Sequence, residues 1–123
     1  MKHRLTNQAE RDVSNILTQT YRLFGEHQFS RYVGTLNKGV AMIADEPFRP
    51  SSKDPGDIRK GIRSFHLQLA AGRIGGPSHV IYYLPSAVSD HGELIVVRIL
   101  SDEMEPKRRV VSALRADRGG DPS

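Results

Sequence analysis

Apolar side chains recur every three or four residues along the first third of the chain, which is the spacing of one face of an α-helix. The first stripe follows Asn7, a predicted N-cap with Glu10 three residues later, and stops at Gly25. A second stripe continues to Pro47 and contains Gly39, which predicts the close approach of another element. Because only a short link at Gly25 separates them, the two stripes predict an antiparallel helical hairpin. Their members are Ala9, Val13, Ile16, Leu17, Thr20, Tyr21 and Phe24, followed by Phe29, Tyr32, Val33, Leu36, Val40 and Ile43.

The period of the pattern changes to two after a loop at 46–60, which is rich in proline, serine, aspartate and glycine. Residues 62–69 alternate between apolar and polar side chains and predict a strand with one polar side. A glycine-rich connection at 71–77 joins this strand to a second one at 79–84. The two runs together predict a β-hairpin.

The most apolar run of the chain is 94–100, in which every residue except Arg98 is a large aliphatic. Both faces of this run are apolar, so it predicts a central strand that is covered on both sides. Strand alternation places Arg98 on the face of Val96 and Leu100. An unpaired guanidinium is costly to bury, so Arg98 requires either a buried acidic partner or a groove at its end of the strand. The candidate partners are Glu103, Glu105 and the acids of the two helices.

The two ends of the chain complete the predicted fold. Residues 2–5 predict an edge strand that joins the sheet, and Pro106 begins a short helix whose apolar stripe contains Val110, Val111 and Leu114. We therefore predict an α+β fold, in which an N-terminal helical hairpin packs on a small antiparallel β-meander, with a short C-terminal helix. Residues 1–115 are predicted to form a single domain and 116–123 a flexible tail.

Composition excludes several classes of protein and favours one kind of partner. The chain has 123 residues, of which 37% are hydrophobic and 26% charged, as expected for one globular domain. It has no cysteine, and no apolar run approaches the length of a membrane helix. We therefore expect a cytoplasmic protein that has neither a disulfide nor a cofactor. The formal net charge of +4 favours an acidic partner.

Catalytic chemistry has little support in the sequence. The glycines from Gly72 to Gly76 precede a strand and lack the Gly-Lys-Ser/Thr of a phosphate loop. Cleavage of RNA needs a base, an acid and cations at the phosphate. The acid and base candidates are His66, His79, Glu103 and Tyr82, and the available cations are Arg63, Arg98, Lys107, Arg108 and Arg109. We expect the histidines to be solvated surface residues, and no metal site is predicted.

Six short segments, in order and with family-like spacing, carry a resemblance to known proteins. They are residues 9–12 (Ala-Glu-Arg-Asp), 44–47 (Ala-Asp-Glu-Pro), 61–65 (Gly-Ile-Arg-Ser-Phe), 79–83 (His-Val-Ile-Tyr-Tyr), 96–100 (Val-Val-Arg-Ile-Leu) and 103–106 (Glu-Met-Glu-Pro). Together they span about residues 3–110 and resemble the RelE/ParE superfamily of bacterial type II toxins. The resemblance is greatest to its ParE-like, plasmid-stabilisation branch, and the predicted element order agrees with the fold that it implies.

The resemblance implies a growth-arresting toxin that is neutralised by a ParD-like antitoxin with an acidic, disordered C-terminal segment. ParE-like members are known to inhibit DNA gyrase, whereas RelE-like members cut mRNA on the ribosome. Ser101 stands where related toxins often have histidine, and no aromatic residue follows Tyr83 to stack a base. Both departures favour a gyrase inhibitor that is not an enzyme. The alternatives are a RelE-like ribosome-dependent mRNA endonuclease and a non-toxic binding homologue.

Two sets of site residues follow from the resemblance, and neither includes a catalytic residue. Contacts with the target are expected from Arg63, Arg98, Lys107, Arg108 and Arg109. The short last helix is expected to leave part of the sheet open as an antitoxin-binding groove. The residues expected to line this groove are Tyr82, Met104, Val110 and Leu114. Whether Arg63 and Arg98 share a face depends on the strand register, and the connection at 68–78 is longer than is usual in the family.

Overall fold

The computed structural model describes residues 3–72, 78–85 and 92–118. Their elements, in chain order, are β1 (His3–Leu5), α1 (Asn7–Asp45), β2 (Arg63–His66), α2 (Gln68–Ala71), β3 (His79–Leu84), β4 (Leu94–Ser101) and α3 (Lys107–Arg118). The fold is α+β, with the helical residues at the start of the chain, then the sheet and a last helix. This confirms the fold class predicted from the hydrophobic pattern.

The four strands form one sheet in the order β1-β4-β3-β2. Strand β4 is internal, pairing in parallel with β1 and antiparallel with β3, which in turn pairs antiparallel with β2. Residues Leu94–Val97 of β4 are each at most 5% exposed, as two-sided burial requires. The prediction of a central strand at 94–100 is confirmed, and so is the addition of the short N-terminal strand to the sheet.

Helix α1 reverses direction at Gly25, whose φ of 85° and ψ of −174° are not helical. The rings of Tyr21 and Phe29, which lie on either side of this turn, meet edge to face with centroids 5.8 Å apart. Further along, Leu17 and Val33 line the same small cavity. The arm at residues 7–24 therefore runs antiparallel to the arm at 26–45, and the predicted hairpin is confirmed.

The turn at Gly25 leads to a prediction about stability. Its backbone conformation is one that only glycine adopts without strain, although a Cβ there would meet no atom within 4 Å. We expect Gly25→Ala to lower the free energy of unfolding, measured by urea denaturation, by about 1–3 kcal/mol. The matched control is Gly34→Ala, because Gly34 is helical and equally open. That variant should raise the free energy of unfolding by up to about 1 kcal/mol, and a similar effect of both changes would contradict the assigned turn.

The N-cap of α1 is Thr6, so the prediction that Asn7 caps the helix is wrong. Thr6 Oγ1 accepts a hydrogen bond from the backbone N–H of Ala9 at 3.0 Å and donates one to the carbonyl of Val97 at 2.7 Å. Thr6 is buried between the helix and β4, where its hydroxyl satisfies a group of each. Asn7 has a residue type that is common at N-caps, and the local sequence does not show that Thr6 also contacts β4.

Strand β2 is shorter than the predicted strand at 62–69, because Leu67 leaves the strand and α2 begins immediately after it. Leu67 is fully buried, whereas Leu69 is 49% exposed, so the strand alternation does not continue through both. Leu67 packs against Gly39 of α1, where a Cβ would lie 2.6 Å from Leu67 Cδ2. The close approach predicted at Gly39 is therefore confirmed. Residues 73–77 of the long connection lie outside the described residues.

Two hydrophobic cores cover the two faces of the sheet. The first core lies between α1 and the sheet and contains Ala9, Leu36, Ile43, Phe65, Leu67, Ala70, Ile81, Tyr83, Leu94, Val96 and Ile99. The second core lies between the sheet and α3 and contains Ile58, Ile62, Tyr82, Leu84, Ile95, Val97, Leu100, Val110, Ala113 and Leu114. Each face of β4 therefore faces its own helical layer.

Helix α3 begins immediately after Pro106 and is joined to β1 near its other end. The Pro106 carbonyl accepts from the N–H of Val110 at 2.8 Å, so Pro106 stands immediately before the helix and not inside it. At the other end, Arg4 of β1 donates to both carboxylate oxygens of Asp117 at 2.9 Å. The helix continues to Arg118 and so includes 116–118 of the predicted tail. The rest of that tail, 119–123, lies outside the described residues.

Candidate functional site

Arg98, the charge inside the central strand, is paired with Asp12 of α1. Its Nε and Nη2 donate to the two carboxylate oxygens at 2.7 and 2.8 Å, and the N–H of Ile99 donates to the same carboxylate at 2.9 Å. The two side chains are only 17% and 11% exposed. Strand β1 ends at Leu5, so Asp12 and Thr6 satisfy the part of the β4 edge that β1 leaves open. Arg98 thus has the buried acidic partner that was one of its two predicted alternatives.

A register shift in β4 changes the face on which Arg98 lies. Tyr82 pairs with Arg98, whereas the next residue, Tyr83, pairs with Val96, so Val97 is an extra residue in the β4 ladder. Strand alternation after this bulge places Arg98 on the face of Tyr82, opposite that of Val96. The prediction that Arg98 shares a face with Val96 is therefore wrong, because a bulge interrupts the alternation.

By strand pairing, Arg63 lies on the face of Tyr83 and Arg98 on that of Tyr82, and the Arg98 guanidinium turns to Asp12 of α1 at the open edge of β4. Arg63 Nε donates to Ser52 Oγ at 2.8 Å and its Nη2 to the Ser52 carbonyl at 3.1 Å. Its guanidinium also lies 5.3 Å from the centre of the Phe48 ring. The two arginines therefore do not converge on one site, and each is held by a different part of the fold.

Lys107, Arg108 and Arg109 form an exposed basic turn at the start of α3. Glu105 precedes them, accepting from the N–H of Lys107 with its carboxylate at 2.7 Å and from Arg109 Nη1 with its carbonyl at 2.7 Å. No acidic residue occupies the first turn of α3. Since the N-terminal end of a helix carries partial positive charge, three cations there oppose the helix dipole. Helix stability thus does not account for this basic turn.

A cleft of about 860 Å³ lies on the second face of the sheet, beyond the part that α3 covers. Its volume is in the range of small-ligand sites. We refer to it as the second-face cleft. It is lined by Pro50, Ser51, Lys53, Ser64, His66, Gln68, Leu69, Gly72, Val80 and Tyr82.

His66, the histidine of the second-face cleft, uses both of its ring nitrogens within the protein. Its Nδ1 accepts from the backbone N–H of Gln68 at 3.1 Å, so in the neutral ring the proton is on Nε2. Nε2 then donates to Asp102 Oδ2 at 3.1 Å. The ring has no free lone pair directed into the cleft, and a general base requires one.

The other acid and base candidates do not complete a catalytic pair either. Tyr82 is buried, and its pKa is raised mainly by desolvation and further by the carboxylates of Asp102 and Glu105. Its phenol therefore remains protonated at neutral pH. Glu103 is exposed, and its backbone N–H is bonded to Ser101 Oγ. The described residues of the cleft therefore do not form an acid and base pair for RNA cleavage.

His79 lies between the sheet and the hairpin, so the expectation that it is a solvated surface residue is wrong. Its Nδ1 is hydrogen-bonded to the hydroxyl of Tyr32, whose ring meets the imidazole edge to face at 5.7 Å. Burial lowers the pKa of His79 from its ordinary value of 6.5; His66 adds to this shift, and the carboxylates of Asp102 and Asp12 oppose it. Burial also raises the pKa of Tyr32, so the neutral pair is the stable form.

The lowered pKa of His79 predicts a loss of stability in acid. Between pH 6.5 and the lower pKa of the folded protein, the unfolded chain binds more protons, so the free energy of unfolding falls as the pH falls through this window. Urea denaturation at several pH values should therefore show a steeper loss for the native chain than for His79→Gln, which cannot titrate. Parallel pH profiles for the two proteins would contradict a buried neutral His79.

The predicted antitoxin-binding groove is not open in the structure. Tyr82, Val110 and Leu114 are 7%, 0% and 3% exposed, because α3 packs over them in the second core. Met104 is 46% exposed, and Tyr82 also lines the second-face cleft. The apolar stripe of α3 covers this part of the sheet, and the antitoxin-binding role of these residues stays a prediction.

Comparison with known proteins identifies the family. A family model described as "ParE toxin of type II toxin-antitoxin system, parDE" matches residues 4–106. The chain belongs to this ParE toxin family. It is also 30% identical over 114 residues to Toxin ParE of Escherichia coli, a match that covers 90% of this chain and 94% of that protein. The resemblance inferred from the six short segments is confirmed, and with it a role as the toxin of a type II toxin–antitoxin system, whose partner is a cognate antitoxin.

Two negative findings apply to the described part of this ParE-family chain. Residues 3–72, 78–85 and 92–118 contain no group of three or more histidines and acids placed to hold a metal ion. None of the helices in these ranges has the length and apolar character needed to cross a membrane.

Asp12 and Thr6 are not among the predicted site residues, although Asp12 ends the segment 9–12 that carries the resemblance. Both act across the chain, on the open edge of β4. The sequence contains part of the signal for Asp12, because Arg98 requires an acidic partner and the acids of the two helices are among the candidates. The spacing does not distinguish Asp12, which stands beside Val13 at the border of the first apolar stripe, from the other acids.

Proposed function

We propose that this ParE-family toxin arrests growth in the cytoplasm by binding DNA gyrase, and that a cognate ParD-like antitoxin neutralises it. The proposal rests mainly on the match to the ParE family, which extends over residues 4–106 and so over nearly all of the described fold. The geometry of the second-face cleft supports inhibition by binding, since the two nitrogens of His66 are already used by Gln68 and Asp102.

The basic turn of α3 is the part of the surface that best suits contact with the target. Lys107, Arg108 and Arg109 are exposed, and their charges oppose the helix dipole, although Arg109 also donates to the Glu105 carbonyl. Exposed cations in this position suit an acidic surface on another protein or the DNA bound to it. Arg63, which is held by Ser52 and Phe48, stays a candidate for a separate contact on the other face.

A supercoiling assay with purified gyrase tests the proposal. The native chain should block supercoiling. A triple variant with Lys107→Ala, Arg108→Ala and Arg109→Ala should give the same inhibition only at a protein concentration at least about tenfold higher. The control removes an equal charge elsewhere through Arg59→Ala, Lys60→Ala and Arg115→Ala, and should inhibit like the native chain. Unchanged supercoiling at a large excess of the native chain would reject gyrase as the target.

Two growth experiments separate the alternatives. Expression without antitoxin should arrest growth while transcripts stay intact. Ribosome-dependent cleavage of mRNA during the arrest would favour the RelE-like activity instead. Normal growth at high expression would favour a non-toxic binding homologue.

A further inference from the structure

We propose that the second-face cleft binds a small organic anion, whose charged head lies at Lys53 and whose apolar body lies over β2 and β3. This site goes beyond the proposed function, because contact with gyrase through the basic turn of α3 does not require a ligand in the cleft. The volume of the cleft, about 860 Å³, is large enough for such a molecule.

The backbone of Lys53 fixes its position at the edge of the sheet. Its N–H donates to the Ser64 carbonyl at 2.9 Å, and its carbonyl accepts from the Ser64 N–H at 2.8 Å. Ser64 in turn pairs with Tyr82 of β3. Side chains of directly paired residues project from the same face of a sheet, so these three form one row across the second face. All three line the cleft, although they are distant in sequence.

Lys53 is an exposed cation that has no acidic partner among the described residues. Asp54, its neighbour in sequence, accepts from the N–H of Gly56 at 2.8 Å and so stabilises the loop. The described part of the cleft lining contains no aspartate or glutamate. The charge of Lys53 is therefore available to an anionic group of a ligand.

Two serine hydroxyls lie near this cation in the lining of the cleft. Ser51 Oγ accepts from Arg49 Nε at 3.1 Å, so the hydroxyl proton of Ser51 remains available to donate. Ser64, which is paired with Lys53, contributes the second hydroxyl. A cation with neighbouring O–H donors is suited to the oxygens of a carboxylate or a phosphate.

The rest of the cleft favours an apolar body. Pro50 and Val80 line it, and so does Leu69, which is a large aliphatic residue with 49% exposure. A ligand that covers these side chains removes apolar surface from water, which is favourable. The cleft therefore combines an anion-binding end with an apolar surface, as is common in small-molecule sites.

The charges near Tyr82 determine which way the ligand lies. Desolvation raises the pKa of Tyr82, and the carboxylates of Asp102 and Glu105 add to the shift, so both acids lie near the phenol. Negative charge on this side repels an anion, whereas Lys53 attracts it at the outer edge of β2. The head group is therefore expected at Lys53 and the apolar body toward Tyr82.

A small anion fits this cleft better than the backbone of a nucleic acid. Lys53 is the only lysine or arginine among the described residues that line it. Proteins bind a nucleic acid backbone with several lysines and arginines, each of which neutralises a phosphate. One cation beside two hydroxyls is instead suited to a single charged group.

Three probes with the same apolar body test the site in the full chain. They are 1-naphthyl phosphate, 1-naphthoate and the neutral 1-naphthalenemethanol. NMR titration of the ¹⁵N-labelled protein measures affinity and locates the bound probe. Both anions should shift the amides of Lys53, Ser64 and Gln68 and bind with a dissociation constant of about 1 mM or lower. The neutral alcohol should bind at least about fivefold more weakly.

Variants at the two ends of the cleft separate the role of charge from that of apolar contact. Lys53→Gln should weaken the binding of both anions by about fivefold or more and leave the neutral alcohol unchanged. The matched control is Lys60→Gln, because Lys60 is also exposed but does not line the cleft, and this variant should bind all three probes like the native chain. Leu69→Ser should weaken the binding of all three probes alike.

The relative affinity of the two anions identifies the head group, and preference for either supports the site. Equal affinity for the neutral alcohol and the anions would overturn the proposal, and so would equal anion affinity in Lys53→Gln and the native chain. Amide shifts confined to residues outside the cleft, or no binding at about 10 mM, would overturn it as well. Because Lys53, Lys60 and Leu69 are exposed, the variants should fold normally, which circular dichroism checks.

Discussion

Replacing Asp12 by alanine should lower the free energy of unfolding by about 3–5 kcal/mol, which is a large part of the roughly 5–15 kcal/mol that stabilises a typical domain. The carboxylate accepts two hydrogen bonds from Arg98 and one from the N–H of Ile99. Its removal leaves a guanidinium that is only 17% exposed without its partner. Urea denaturation followed by circular dichroism measures the loss.

The control for this prediction is Glu10→Ala, two residues earlier on the same helix. Glu10 is exposed, so its replacement should change the free energy of unfolding by no more than about 1 kcal/mol. A small effect of Asp12→Ala, comparable to that of Glu10→Ala, would mean that solvent reaches Arg98 and replaces the lost carboxylate.

A double variant separates the structural role of Arg98 from a role in target binding. Combining Asp12→Asn with Arg98→Met removes both charges and keeps a side-chain oxygen that can accept from the N–H of Ile99, so the loss of stability should be smaller than in Asp12→Ala. If the folded double variant still inhibits gyrase, Arg98 makes no contact with the target. Loss of inhibition in a protein of normal stability would instead retain Arg98 as a target contact.

The elements of the fold were predictable because each carries a strong local signal. The two helical stripes separated by Gly25, the two-sided apolar run at 94–100 and the apolar residues after Pro106 all produced elements of the predicted type. These signals reflect which side chains must be buried, and burial is the largest favourable term in folding. Their order then left few compatible topologies, since the helices had to cover the exposed apolar faces of the sheet.

The errors all concern contacts between residues that are distant in sequence. Asn7 has the composition of an N-cap, but Thr6 is the residue that also reaches Val97. The bulge at Val97 has no glycine to mark it, so strand alternation assigned Arg98 to the wrong face. Leu67 leaves β2 and packs against Gly39. A period-two pattern carries no information about this contact with α1.

The extent of the predicted antitoxin groove also depends on contacts between distant residues. The apolar residues of α3 indicated correctly that this helix has a buried face, but not how much of the sheet it covers. In the structure Val110 and Leu114 fill the space over Tyr82, and the unfilled apolar surface is between the arms of α1. Incomplete packing of two facing stripes cannot be inferred from their spacing, because it depends on the distance between the helices.

Val110→Asp should detach α3 from the sheet and lower the free energy of unfolding by at least about 3 kcal/mol, since it places an unpaired charge at a fully buried position. Ser112→Asp is the matched control, because Ser112 is exposed on the same helix and the same charge there should change stability by less than about 0.5 kcal/mol. Hydrogen exchange should show loss of protection in α3 for Val110→Asp. The ion pair between Arg4 and Asp117 is partly exposed, so it is too weak to hold the helix on the sheet alone.

The behaviour of the first core in this variant tests whether the two faces of the sheet are one cooperative unit. Strand β4 contributes Val96 to the first core and Val97 to the second, so the two cores share one backbone. If α1 keeps its protection while α3 loses it, the hairpin and sheet are stable without the last helix. If α1 and α3 lose protection together, burial of β4 on both faces is required for folding, and α3 cannot be deleted without unfolding the toxin.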